Sequence, residues 1–194
     1  SNDPNVPPVA IGLGGGIYCG SSNVQIYDCN INSNIADASG GGGYFSNGSD
    51  VLDNVLVTNN TAGRDGGGLS ANWYCQLELF NCTLADNTVT GAGFIASYGG
   101  GLFCSYQGYT SVIDSILWNN SAGIGAQIAI GTGFEYDKRP SVVDVNYSDV
   151  QGGAAAVYVD IGNVSDSTDD CKLNWGTKNL TGTSLTNPKF VNGF

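Results

Sequence analysis

Glycine runs at residues 14–16, 40–43, 66–68 and 99–101 divide the first two thirds of this chain into units of one kind. Each run leads into a short strand-like segment: Ile17-Tyr18-Cys19, Tyr44-Phe45-Ser46, Leu69-Ser70-Ala71 and Leu102-Phe103-Cys104. A second apolar-alternating segment follows in every unit, at residues 24–31, 51–57, 77–84 and 112–117. Each unit then places an asparagine, Asn34, Asn60, Asn87 or Asn120, and two residues later a small or branched apolar residue, Ala36, Ala62, Val89 or Ala122. The asparagines are spaced by 26, 27 and 33 residues, and an inserted loop at residues 90–98 accounts for the long interval. Self-similarity of this length is the mark of a repeat architecture, and alternation with period two makes its elements strands.

A unit of about 26 residues made of short strands cannot bury a face alone. Stacked at roughly 4.8 Å per coil, such units pair strand to strand and share one core. The recurring asparagine gains from stacking, because an amide held in register hydrogen-bonds its copies above and below. Asn34, Asn60, Asn87 and Asn120 are therefore expected to form a core ladder. Leucine-rich repeats are the nearest rival, and their leucine pattern is missing. Long helices are disfavoured by 30 glycines, each costing about 1 kcal/mol against alanine in a helix interior.

The unit GGGIYCGSSNVQIYDCNINSNIA (residues 14–36) resembles the repeats of right-handed parallel β-helix proteins of the pectin-lyase-like superfamily, and within it the surface-protein branch with polymorphic outer-membrane-protein-type repeats. VNYSDVQGG (145–153), IGNV (161–164) and NPKFVNGF (187–194) are similar to closing coils of large secreted β-helix proteins, which usually continue beyond that motif. The resemblance implies an all-β, single-stranded right-handed solenoid of five to six coils. It is read as one domain: an extended N-terminal arm at 1–10, regular coils at 11–130 and irregular C-terminal coils at 131–194. The family hosts many roles, so the fold alone carries no activity.

Charge and cysteine usage narrow the setting. The net charge is −11 with six basic residues and no histidine, which excludes nucleic acid and anionic membrane surfaces as partners. Six cysteines, Cys19, Cys29, Cys75, Cys82, Cys104 and Cys171, suit an oxidising compartment and disulfide stapling. Cys19 reaches Cys29 across one coil, and Cys75 lies within register of Cys82 or Cys104. The sequence does not choose among the fifteen connectivities. Asn-x-Ser/Thr triplets at Asn47, Asn59, Asn81, Asn119, Asn146, Asn163 and Asn179 are candidate N-glycosylation sites. The start, Ser1-Asn2-Asp3-Pro4, shows neither a charged nor an apolar leader, and is read as a mature or trimmed product. An extracellular or cell-surface location follows as an expectation.

Catalytic signals are sparse. Hydrolases on this scaffold pair carboxylates, and polygalacturonase-like members add a histidine; lyases use an Arg or Lys base with calcium. Arg64, beside Asp65 at the corner before a glycine run, is the one weak enzymatic candidate. Asp166, Asp169 and Asp170 form a weak candidate calcium site without the spaced ligands of an EF-hand loop. Asp28, Asn54, Asn81 and Asp114 recur at one place in the second segment, where they would bind calcium or glycan hydroxyls. Tyr18, Tyr44, Phe103, Trp73, Tyr74, Tyr106 and Tyr109 offer rings for sugar stacking. The expectation is a non-catalytic structural or adhesive surface protein without a required cofactor, self-associating through uncapped ends and contacting surface glycans. A polysaccharide lyase or hydrolase, or a glycan-binding module, is the alternative.

Overall fold

The computed structural model describes residues 12–91, 96–132, 139–161 and 170–181. Coil one holds β1 (Ile17–Gly20), β2 (Gln25–Tyr27), β3 (Asn30–Asn32) and β4 (Ile35–Ala36). Coil two repeats them as β5 (Gly43–Ser46), β6 (Ser49–Asp53), β7 (Leu56–Thr58) and β8 (Thr61–Ala62). Coil three has β9 (Leu69–Asn72), β10 (Gln76–Phe80), β11 (Thr83–Ala85) and β12 (Thr88–Val89). Coil four keeps β13 (Leu102–Cys104), β14 (Tyr109–Ile113) and β15 (Ile116–Trp118). Coil five follows with β16 (Ile128–Ile130), β17 (Val142–Asn146) and β18 (Asp149–Val150), and a sixth with β19 (Tyr158–Val159) and β20 (Lys172–Trp175). A single 3-10 turn, Ala154–Ala156, interrupts the strands among the described residues.

Every pairing is parallel and joins one coil to the next. The sheets run β1-β5-β9-β13-β16-β19, β2-β6-β10-β14-β17-β20, β3-β7-β11-β15-β18 and β4-β8-β12. The chain is thus a parallel β-solenoid of about six coils, with strands recurring about every 26 residues. Among the described residues no helix is long and apolar enough to cross a membrane.

The second apolar segment of each unit, expected as one strand, is two. Asp28, Asn54, Asn81 and Asp114 stand between the paired strands with φ of 52°, 56°, 50° and 50°. A left-handed residue breaks the strand and resets its parity, and Asn and Asp tolerate that region because their short polar side chains bond locally. Ile26 and Ile31, of opposite parity in the sequence, therefore both pack on the core.

Three glycine columns have three different causes. Gly14, Gly40, Gly66, Gly99 and Gly125 have φ between 60° and 72° and turn the chain into sheet one. At Gly15, Gly41, Gly67 and Gly100 a Cβ would lie 2.6 or 2.7 Å from the backbone of Ile35, Thr61, Thr88 and Ser121, so two backbones of one coil touch. At Gly16, Gly42, Gly68 and Gly101 a Cβ would press on the ladder asparagine of the same coil. Inside, Leu52, Leu69, Leu77, Leu79, Leu84, Leu102, Leu117, Ile128 and Ile130 are fully buried, each contributing about 1.5–3 kcal/mol. Phe45 fits because its neighbour Gly43 has no side chain to meet its ring and Ala71 stands beneath it in register.

Candidate functional site

The asparagine ladder forms as expected. Asn34 donates from its backbone N and from Nδ2 to Asn60 Oδ1, at 2.9 and 3.0 Å. Asn60 does the same to Asn87, and Asn87 to Asn120, all at 3.0 Å. The second Nδ2 hydrogen bonds back to a carbonyl of the preceding coil: Asn60 to Ile31, Asn87 to Val57 and Asn120 to Leu84. Two glutamines end the series, with Asn120 Nδ2 donating to Gln127 Oε1 at 2.7 Å and Gln127 Nε2 to Gln151 Oε1 at 3.1 Å. The repeat spacing did not point to these glutamines. At the other end, no donor reaches Asn34 Oδ1 among the described residues.

A second column, absent from the sequence reading as a ladder, runs through Cys29, Val55, Cys82, Ser115, Ser148 and Asn179. Cys82 N donates to Ser115 Oγ, Ser115 N to Ser148 Oγ and Ser148 N to Asn179 Oδ1, at 3.0, 3.1 and 3.0 Å.

Arg64 lies where expected, at the corner before a glycine run. Its Nε donates to Asp65 Oδ2 at 2.7 Å and its Nη2 to Ser39 Oγ at 3.2 Å. Asp65 is buried and bridges Ser39 to Tyr98 in register. Burial pushes its carboxyl above the ordinary value, against the pull of the Arg64 charge and of the Arg64, Ser39 and Tyr98 hydrogen bonds. The guanidinium is held by a carboxylate of its own corner, which neutralises both and ties coil two to coil three.

Among the described residues, no group of three or more His, Cys, Asp or Glu side chains is arranged to hold a metal. Asp166 and Asp169 lie outside the described residues; the charge of Asp170 instead acts on the Cys171 thiol. The recurrent polar corner pairs amides with carboxylates: Asn54 Nδ2 donates to Asp28 at 2.6 Å and Asn81 Nδ2 to Asp53 at 3.1 Å. These oxygens are engaged along the axis rather than converged on a cation.

The disulfide expectation is corrected: all six cysteines are free. Cys29 is exposed, its thiol donating to the Tyr27 carbonyl at 2.9 Å, while Cys19 is buried. Cys29 sits in the inward column of Val55 and Cys82, which are buried, and is exposed as the member of that column in the first described coil. Cys29 and Cys82 stand two coils apart with Val55 between, roughly 10 Å and beyond disulfide reach. Cys82 Sγ instead donates to Phe80 and Leu52 carbonyls at 3.1 and 3.4 Å. Burial pushes Cys104 up to about 12, and Cys82 and Cys171 up to about 11.

Rings gather on the outer face of sheet one and its neighbouring corner. Tyr18 and Tyr44 stack at 5.6 Å with planes 4° apart, and Trp73 and Tyr106 at 4.2 Å. Tyr98 contacts both Phe103 and Tyr158. Trp73 and Tyr74 are successive residues with φ of 52° and 60°, an uncommon state for bulky side chains. That turn holds Tyr74 over an open cleft lined with Asn23, Asn47, Gly48 and Ser49. The guanidinium of Arg139 lies against the Tyr74 ring, 5.5 Å from its centroid. Tyr109, another of the candidate stacking rings, starts β14 and donates its hydroxyl to Asp144 at 2.6 Å.

Compared with protein-family models, with curated proteins and with solved structures, the chain matches none.

Proposed function

We propose that this chain is a non-catalytic structural or adhesive module of an extracellular or cell-surface protein, of the surface branch of the pectin-lyase-like superfamily, associating end to end with further coils. The observation that carries the reading is the first coil. Among the described residues β1, β2, β3 and β4 are each paired on one side only. Among the described residues the amide ladder ends there in an acceptor, Asn34 Oδ1, that no donor reaches. Ile35 is 74% exposed at that edge, with Tyr18 and Tyr27 also exposed. Natural sheets cover or charge such edges, and this one presents apolar and aromatic side chains with a row of backbone groups. An added coil in parallel register supplies what the edge lacks.

Light scattering and electron microscopy across a concentration series test the reading. We expect end-to-end assemblies, and their loss on Ile35→Lys with unchanged thermal stability. Monodisperse single particles at every concentration would overturn self-association. A second reading, a glycan-binding module, draws on the Tyr74 cleft. Saturable binding of soluble polysaccharide, lost on Tyr74→Ala, would favour it.

A further inference from the structure

The Asn-x-Ser/Thr triplets are not equivalent in the fold. In Asn59-Asn60-Thr61, Asn81-Cys82-Thr83 and Asn119-Asn120-Ser121 the first residue is a left-handed corner and the second belongs to a ladder column. The third resumes pairing with a neighbouring coil. Asn47-Gly48-Ser49 likewise begins at a left-handed corner and ends on the first residue of β6. The four asparagines have φ of 53°, 55°, 50° and 53°, in the order 47, 59, 81 and 119, and all are exposed. A corner that favours asparagine for its backbone also turns the carboxamide to solvent.

Asn146 and Asn179 differ. Asn179 is spent inside the structure: its Oδ1 accepts from Ser148 N at 3.0 Å, and its Nδ2 donates to the Val145 and Gly176 carbonyls at 2.8 and 3.3 Å. Asn146 is the half-buried last residue of β17, with Ser148 of its triplet buried. Its carboxamide is covered by Gly176, where even a Cβ would lie 1.7 Å from Oδ1. Asn163 lies outside the described residues.

We propose that Asn47, Asn59, Asn81 and Asn119 carry N-linked oligosaccharide and that Asn146 and Asn179 do not; this rests on the surface reading above. In the transfer, Nδ2 bonds to the anomeric carbon of a lipid-pyrophosphate-linked oligosaccharide. The bond from that carbon to the pyrophosphate oxygen breaks, Nδ2 gives up one proton, and the lipid pyrophosphate leaves. The secondary amide keeps one N–H, so Asn81 and Asn119 retain their bonds to Asp53 and Asp86. At Asn179 the sugar would displace a carbonyl partner and part the last coils. Sugars at the four sites occupy three corners of the solenoid. The fourth, with the glycine runs and Arg64, carries no triplet among the described residues.

The test is to secrete the chain behind a supplied leader from an N-glycosylating host. Glycans are then released enzymatically in heavy-oxygen water, so that each occupied asparagine becomes a labelled aspartate. Label at the four corner sites and none at Asn146 or Asn179 in the folded product is expected. Each single Asn→Gly variant at a corner, which keeps the left-handed turn, should remove one step of the gel shift. Asn179 labelled as fully as Asn59, or bare corners on secreted folded protein, would overturn the proposal. Antibody labelling of intact source cells separates the two readings: an unlabelled exterior with the four-site pattern intact would sink the surface reading alone.

Discussion

Asn60 and Asn87 are joined by two hydrogen bonds to a single atom, since both the backbone N and Nδ2 of Asn60 donate to Asn87 Oδ1 at 3.0 Å. Asn87 also donates to Val57 O and Asn120 Oδ1 from the same buried carboxamide. Replacing it with alanine strands both Asn60 donors, takes a donor from the Val57 carbonyl, and leaves Asn120 Oδ1 with the Asn87 backbone donor alone. With each buried orphan costing about 1–3 kcal/mol, Asn87→Ala should destabilise the fold by about 3 kcal/mol or more. Asn34→Ala removes only the Nδ2 bond to Asn60, because the backbone donor remains, and should cost about 1 kcal/mol. Denaturant midpoints check the contrast; equal losses would show that the ladder does not act through its interior.

Glycine substitutions should separate backbone conformation from backbone contact. A Cβ at Gly41 would stand 2.3 Å from the Gly67 carbonyl oxygen and 2.6 Å from the Thr61 backbone. Neither can move without opening the coil. Gly41→Ala is expected to cost about 3 kcal/mol or more. Gly91 has φ of 67°, but among the described residues nothing lies closer than 3.5 Å to such a Cβ. There only the left-handed penalty of about 1–2 kcal/mol applies. Thermal unfolding of the two variants should rank them in that order.

Much of the fold was legible because its causes repeat in the sequence: the glycine columns and Asn34, Asn60, Asn87 and Asn120 recur once per coil. The split of the second segment was not legible from alternation. A single left-handed residue, Asp28 in coil one, shifts parity in a way a strand pattern does not record. The clue lay in an Asp or Asn recurring at that place in four coils. Cys29 does belong to the inward column of Val55 and Cys82, yet the disulfide suggested for it is one the fold does not form. Gln127 and Gln151 escaped because they reach the ladder from outside the repeat. Arg64 and Asp65 were found by adjacency, but their tie to Ser39 depends on the register between coils.

Thiol reactivity should report the corrected cysteine topology. Five cysteines are buried and Cys29 is exposed, and burial raises Cys19, Cys75, Cys82, Cys104 and Cys171 away from the reactive thiolate. A colorimetric thiol reagent added to the native protein should titrate about one group, abolished by Cys29→Ser. In denaturant without reductant it should titrate all six. Fewer than six in denaturant would reveal a disulfide and overturn the free-thiol arrangement.

Asp50 should make stability fall as pH rises from acid toward neutral. It occupies the inward column that holds Leu77, Thr110 and Val143 in later coils and is buried. Burial raises its pKa, against the hydrogen bond from Val24 N, which favours the anion. A carboxyl whose folded pKa lies above its unfolded one binds its proton more tightly in the folded state. Its burden is therefore absent below about pH 4, grows through the interval up to the raised value, and is fully present above it. Asp50→Asn keeps the shape and an acceptor for Val24 N while removing the charge. The variant and parent should be nearly equal in stability at pH 3, with the variant more stable at pH 7. Denaturant unfolding of both proteins at the two pH values decides it. A variant less stable than the parent at pH 7 would mean that the anion's hydrogen bonds outweigh the cost of burying it.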